Sequence, residues 1–186
     1  MATIREGNKT ILVIVDVQVG VVRTAWETSR IVQNIVMTVE KARSQGIPVI
    51  WVQHSDNELK YGSSDWQLVP ELSPKEGETR IYKQFNSSFE QTPLEEVLAK
   101  LDATHIVLAG AATNWCIRAT AHGALDRGYD LTLIKDGHTT ESIEFEDGTK
   151  IEAEDIIREL NVAMRWLSYP DRKNNAVKAE EIDFTA

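Results

Sequence analysis

Apolar positions along this chain follow two periods, and the switches between them lay out alternating strands and helices. Residues 11–15, Ile-Leu-Val-Ile-Val, form an unbroken β-rich run that ends at Asp16, as expected of a parallel strand buried on both faces. Over residues 27–45, Ile31, Val32, Ile35, Val36, Val39 and Ala42 recur at helical spacing, and Gly46 supplies a stop. Residues 48–52 read as the second strand and 80–83 as a short third one. Thr92, Pro93 and Glu95 combine an N-cap, a first-turn proline and a capping-box acid, opening a helix that runs to Leu101. Residues 105–109 follow as the fourth strand, 114–127 as a helix, 131–134 as the fifth strand and 152–167 as an amphipathic helix, with a weak last strand at 176–178.

The connections carry information too. Residues 54–79, rich in Gly, Ser, Pro and charge, exceed an ordinary connection and read as a binding loop. Residues 141–154 read as a hairpin insert, because Phe145-Glu-Asp-Gly-Thr149 places an Asp-Gly turn between short flanks. Strands alternating with helices imply right-handed βαβ units and a mostly parallel sheet covered on both faces, so the fold class is α/β, in one domain over residues 1–186. In such sheets reactive groups gather beyond the carboxyl ends of the strands, where strand order switches. Asp16, Lys83 and the segment leading to Cys116 all fall at such ends.

Composition narrows the chemistry. The 186 residues are 42% hydrophobic, enough for one core. The formal charge of −9, with no clustered Lys/Arg stripe, argues against nucleic acid as a partner. The first ten residues lack an apolar signal-peptide run, and no stretch approaches the roughly 20 apolar residues of a membrane span. No membrane partner and a cytoplasmic location are the expectations. With a single cysteine no intrachain disulfide can form, and zinc-finger and CxxC patterns are absent.

That cysteine, Cys116, lies where the fourth strand runs through Gly110, Ala111, Ala112, Thr113, Asn114 and Trp115 into a helix. A thiol near the positive end of a helix dipole is favoured as a nucleophile, although a free cysteine is equally at home as a small buried hydrophobe. A nucleophilic thiol needs a proton acceptor, a cation and a stabilised oxyanion. Asp16 fits the acceptor and Lys83 the cation. Three such residues at three strand ends are harder to explain as a turn cap, a surface lysine and a packing cysteine than each would be alone.

Val15-Asp16-Val17-Gln18, the stretch from Lys83 through Asn86-Ser87-Ser88-Phe89 to Thr92-Pro93-Leu94, and Gly110-Ala-Ala-Thr113-Asn-Trp-Cys116 together resemble the isochorismatase-like cysteine hydrolase family. The similarity continues through Thr120-Ala121, Ala124, Gly128-Tyr129 and Asp136, over roughly residues 10 to 170. The resemblance implies a three-layer, Rossmann-like fold with a six-stranded parallel sheet, and a catalytic triad of Asp16, Lys83 and Cys116. It also implies a cis peptide between Ala111 and Ala112, with the amides of Ala112 and Cys116 forming an oxyanion hole. For an amide substrate Cys116 would attack the carbonyl, Asp16 would pass the thiol proton to the leaving amine, and water would hydrolyse the thioester. Lys83 would lower the thiol pKa and keep Asp16 ionised. Family members hydrolyse amides and carbamates, cleave the vinyl ether of isochorismate, or open the lactam of streptothricin; the stretches from Asp136 to Thr140 and from Glu159 to Asn161 are similar to the last group. Members commonly form homo-oligomers.

One departure matters. Nicotinamidases of the family carry an Asp-x-His pair and a further histidine that hold a metal, whereas this chain has Gln53-His54-Ser55-Asp56 and no second histidine before His105. No metal and no cofactor are expected, nicotinamide is disfavoured, and His54 is expected to line the substrate pocket or hydrogen-bond within its loop. The remaining substrate-binding candidates are Gln18, Trp26, Trp66, Phe89 and Trp115, each with core or loop packing as the competing role. A small-molecule substrate with C–N hydrolysis is the reading; vinyl ether hydrolysis and a non-catalytic binding homologue are the alternatives. A redox-sensing thiol lacks a resolving partner within the chain.

Overall fold

The computed structural model describes residues 7–184. Six parallel strands form one sheet: β1 (Thr10–Val15), β2 (Val49–His54), β3 (Thr79–Lys83), β4 (His105–Ala111), β5 (Asp130–Thr139) and β8 (Asn174–Val177), in the order β3-β2-β1-β4-β5-β8. A two-stranded antiparallel hairpin of β6 (Ile143–Glu144) and β7 (Lys150–Ile151) sits between β5 and the last helix, as the Asp-Gly turn predicts. The order steps outward on one side of β1 and then on the other, so the switch lies between β1 and β4.

Strand alternation divides the core into two layers. Ile11, Val13 and Val15 face a layer built with α3 (Leu94–Lys100), α4 (Arg118–Asp126) and α5 (Ala153–Trp166), through Leu94, Leu98, Ala121, Ala124, Leu160 and Met164. Leu12 and Ile14 face α2 (Thr28–Ser44), whose Ile31, Ile35 and Val39 share that layer with Ala179, Ile182 and Phe184 of the tail. All six residues of β1 are buried, which explains its unbroken apolar run. Leu98 is fully enclosed, so Leu98→Ala would cost roughly 2–5 kcal/mol.

Several boundaries differ from the sequence reading for local reasons. A four-residue helix α1 (Val19–Val22), too short to show a period, follows β1. The helix predicted at 114 begins instead as a π-helical turn, Thr113–Ile117, before α4; the apolar spacing of Ile117, Ala121 and Ala124 runs on through both and conceals the wider turn. β5 reaches Thr139 because a bulge between the pairs Leu108↔Leu133 and Gly110↔His138 lets it re-pair with β4. Pro93 stands at the N-cap of α3 rather than inside it. The Thr92 hydroxyl still accepts from the Leu94 N–H at 3.3 Å, while Glu95 pairs with Arg127 at 3.3 Å.

The connection 55–78 is ordered by the strand ends below it. Val19 and Gly20 donate backbone bonds to Gln67 and Asp65, Val69 donates to Val17, and the Trp66 carbonyl takes bonds from Gln18 and Gln53. Its far end is fastened by Glu78, which accepts from the Trp51 indole at 2.7 Å and from the Arg43 guanidinium at 2.8 and 2.9 Å.

Candidate active site

β1, β3 and β4 each deliver one polar side chain to the same buried point. Asp16 follows β1 in the left-handed region, φ 53°, which turns its carboxylate over the strand end. Lys83 closes β3. Cys116 lies inside the π turn after β4. Lys83 Nζ stands 2.6 Å from Asp16 Oδ2, donates to Cys116 Sγ at 3.2 Å and to the Phe85 carbonyl at 3.1 Å. Asp16 and Lys83 are almost wholly enclosed and Cys116 is 8% exposed.

A glycine makes this convergence possible. Gly110 has φ 134°, and a Cβ there would lie 1.9 Å from the Val15 carbonyl oxygen. Without that Cβ, β4 can press against the end of β1 and carry the chain into the cis peptide Ala111–Ala112.

The electrostatics place the protons. Burial raises the Asp16 pKa, with the Lys83 charge and hydrogen bond pulling it back. Burial first, and the Asp16 charge second, push the Cys116 thiol up to about 12, against the opposing pull of Lys83. Lys83 does pull the thiol downward, as expected, but loss of water and the Asp16 charge together outweigh one cation that is already shared with a carboxylate. A thiol held protonated beside an aspartate of raised basicity is an arrangement that can pass the sulfur's proton to Asp16.

Residues 10–155 match the family model described as the isochorismatase domain. The chain belongs to the isochorismatase family. The chain is 31% identical over 134 residues to the secreted isochorismatase effector Isc1 of Verticillium dahliae, covering 68% of this chain and 70% of that protein. It is 31% identical over 141 residues to the ureidoacrylate amidohydrolase RutB of Klebsiella pneumoniae subsp. pneumoniae, covering 59% of this chain and 60% of that protein. The crystal structure of an isochorismatase from Pseudomonas putida KT2440 superposes with a TM-score of 0.84 at 25% identity, covering 98% of this chain and 93% of that one. The six-stranded parallel sheet flanked by helices is thus the isochorismatase-like hydrolase fold, and the domain is that of an isochorismatase-family hydrolase.

Within this isochorismatase domain the remaining sequence candidates separate. His54 does reach the cluster: its Nδ1 is 3.5 Å from Lys83 Nζ and its Nε2 is 3.0 Å from Asp56 Oδ2. Trp115 is 57% exposed next to Cys116 and is the one aromatic candidate free to meet a substrate there. Gln18 is corrected: its amide is spent on the backbone, giving to the His54 and Trp66 carbonyls at 3.0 and 2.8 Å and accepting from the His54 N–H at 2.8 Å. Phe89 is a core anchor, stacked on Tyr129 at 6.2 Å with the Arg127 guanidinium above it. Trp66 is buried against Tyr61 and Tyr82, holding the 55–78 connection from behind. Trp26 lies under the Arg30 guanidinium in a groove of about 340 Å³ between α2 and α5, away from the triad. Gln18, Phe89 and Trp66 are thus occupied by backbone bonds or core packing, while Trp26 is half-buried and lines a groove of its own.

Backbone and structural groups complete the site. The Phe85 carbonyl that receives Lys83 is backbone, and no side-chain pattern announces it. His138 is fully buried between the π turn and α5: Thr113 Oγ1 is 2.8 Å from Nδ1 and Asn161 Oδ1 is 3.0 Å from Nε2, with the Asn161 amide oriented by donation to the Lys135 carbonyl. Nε2 therefore carries the ring proton and Nδ1 accepts from Thr113. Thr140 donates to Asn114 Oδ1 at 2.6 Å. Both bonds tie the turn that carries Cys116 to β5. Clefts of about 330 and 460 Å³ open beside the cluster, lined by Ser55, Tyr61, Gln84 and Phe85, with Lys83 in the first and Asp56 in the second.

Proposed function

We propose that this protein is a cysteine hydrolase that cleaves a C–N bond of a small amide, carbamate or ureido compound through a thioester on Cys116. The observation that carries the reading is the buried contact of one ammonium with both a carboxylate, at 2.6 Å, and a thiol, at 3.2 Å, at the switch point of the sheet. Cys116 attacks the carbonyl while Asp16 takes its proton. The N–H groups of Ala112 and Cys116 receive the oxyanion. Asp16 then protonates the departing nitrogen, accepts a proton from the water that attacks the thioester, and returns it to the sulfur, so the cycle closes without net proton change. Lys83 holds the carboxylate and sulfur in register and stabilises negative charge as it moves between them. The amidohydrolase name of the RutB relative supports C–N chemistry, and a ureido or carbamoyl group is the class to try first.

The Isc1 relative, named an isochorismatase, favours vinyl ether cleavage as the second reading. The two separate on the sulfur. Intact-mass measurement during turnover of a panel of small amides, carbamates, ureido acids and lactams is expected to capture an acyl adduct on Cys116 that decays as product forms. Cys116→Ala should abolish turnover while retaining the circular dichroism spectrum and thermal transition of a folded chain. Full turnover by Cys116→Ala would sink the thioester mechanism and move the assignment to ether hydrolysis.

The reading includes homo-oligomeric assembly, for which light scattering should return a multiple of the 20.9 kDa chain mass. Among the described residues no helix is long and apolar enough to cross a membrane. A lone thiol fits the reducing cytoplasm, and since Isc1 is named a secreted protein, the mechanism is framed without reference to compartment.

A further inference from the structure

Lys83 is met from a fourth side by a histidine outside the triad. His54 ends β2 and is paired in register with Lys83 across the sheet; Gln18 clamps both its backbone N–H and its carbonyl. The ring is fixed from its far edge by Asp56. One Asp56 oxygen faces His54 Nε2 at 3.0 Å, and the other accepts from the N–H groups of Glu58 and Leu59 at 2.8 and 2.7 Å. The Leu59 N–H, then His54, hold the Asp56 carboxyl below its ordinary value. An ionised carboxylate only accepts, so Nε2 must carry the ring proton, and Nδ1 presents its lone pair to the ammonium 3.5 Å away.

We propose that Asp56 and His54 form a tautomer lock that positions the Lys83 ammonium between Asp16 and Cys116. This deepens the hydrolase reading and rests on Lys83 being the cation of that site. An ammonium has three N–H donors, and four acceptors surround this one: Asp16 Oδ2, the Phe85 carbonyl, Cys116 Sγ and His54 Nδ1. The first is an ion-pair contact at 2.6 Å and the second a hydrogen bond at 3.1 Å. The third N–H is shared between sulfur and Nδ1. Sulfur, at 3.2 Å, already draws that N–H, and Nδ1, at 3.5 Å, holds the ammonium from the other side; as negative charge grows on sulfur its share of the N–H increases. His54 and Asp56 are positioning residues, acting through Lys83.

The lock predicts an inverted order of damage. In Asp56→Asn the side-chain carbonyl stays with the Glu58 and Leu59 N–H groups, so the amide NH₂ faces Nε2. Nε2 must then accept, the ring proton moves to Nδ1, and an N–H points at the ammonium. The same wrong-tautomer logic holds for an Asp→Asn change behind a catalytic histidine elsewhere. Asp56→Ala leaves the ring free to choose either tautomer. The near-isosteric Asn is therefore the worse change, about 100-fold in Cys116 reactivity against about 10-fold for Ala, by analogy with the partners that orient metal-bound histidines. A structural role for Asp56 in its turn gives the opposite order, since Asn keeps that turn and Ala loses it.

The test uses the resting protein and no substrate: ¹⁵N spectra of the histidine rings, with His54 assigned by His54→Asn, and the rate of Cys116 alkylation by iodoacetamide. Expected are the Nε2–H tautomer of His54 in the wild type, the Nδ1–H tautomer in Asp56→Asn, and alkylation slowed more by Asn than by Ala. His54→Asn, whose amide oxygen falls near the Nδ1 position, should alkylate within about threefold of wild type while His54→Leu loses about tenfold, a contrast that stands even if Asp56→Asn does not fold. An Nδ1–H tautomer in the wild type, or Ala as damaging as Asn, overturns the lock. Turnover assays are scored apart: silence on every amide with the tautomer and alkylation orders intact removes the hydrolase reading and leaves the lock standing.

Discussion

Asp16 occupies a backbone region that aspartate tolerates and β-branched residues do not, so its place is set by conformation as well as by charge. Asp16→Asn keeps that conformation but removes the proton acceptor, and is expected to lower kcat by about two powers of ten or more with little change in KM. Lys83→Met leaves a buried carboxylate without its cation. Turnover should fall as far, and because Asp16 then binds a proton more readily, residual activity should shift to higher pH in a pH–rate profile. His54 has Nε2 committed to Asp56 and Nδ1 turned to an ammonium, so exhaustive chelation with EDTA is expected to leave activity unchanged; a loss restored by zinc would overturn this use of the ring. That Asp16, Lys83 and Cys116 converge was legible in the sequence because each lies at or just beyond the carboxyl end of a recognisable strand. For Gln18, Trp66 and Phe89 the sequence leaves substrate contact and packing open, because a polar or aromatic residue near a strand end looks the same whether it faces substrate or satisfies backbone. Only the direction of the side chain separates the two, and a single sequence does not encode it.

Elements are joined at the site by His138, which links the π turn to α5 through a bulge in β5. Its burial lowers its pKa from 6.5 to about 4, with the Asn161 bond opposing. The ring stays neutral in the fold while the unfolded chain takes up a proton below 6.5, so stability is full above pH 6.5 and is lost as pH falls toward 4. The loss amounts to roughly 3 kcal/mol across that window. Urea unfolding at pH 7 and pH 4.5 should show a steep fall for wild type and a shallower one for His138→Gln; equal slopes would mean that the ring is not held neutral. Gly110 is the other junction. A methyl group there would collide with the Val15 carbonyl, so Gly110→Ala is expected to cost several kcal/mol or yield insoluble protein, and a soluble variant of wild-type melting temperature would contradict the geometry. Period and turn chemistry made all six strands and the long helices readable. The bulge and the π turn were not, because neither alters which residues are apolar.

At the scale of the molecule, the sheet supplies two of its three reactive groups from the middle and one from the rim. β1 and β4 are central, while β3 pairs only with β2. A strand paired on one side only has fewer ladder bonds to break before it opens locally, and Lys83 rides on one of the two edge strands. Thermal inactivation should then run ahead of thermal denaturation: warmed protein would lose turnover while its circular dichroism is still native, and recover it on cooling. Hydrogen exchange provides the check, with the amides of β3 expected to exchange by a local opening well below the global unfolding free energy and those of β1 and β4 only near it. Coincident loss of activity and fold would mean that the 55–78 connection, fastened at Glu78, seals the rim as firmly as a seventh strand. Evolution or design seeking a more heat-tolerant catalyst from this scaffold would therefore gain more from bracing that border than from refilling the interior.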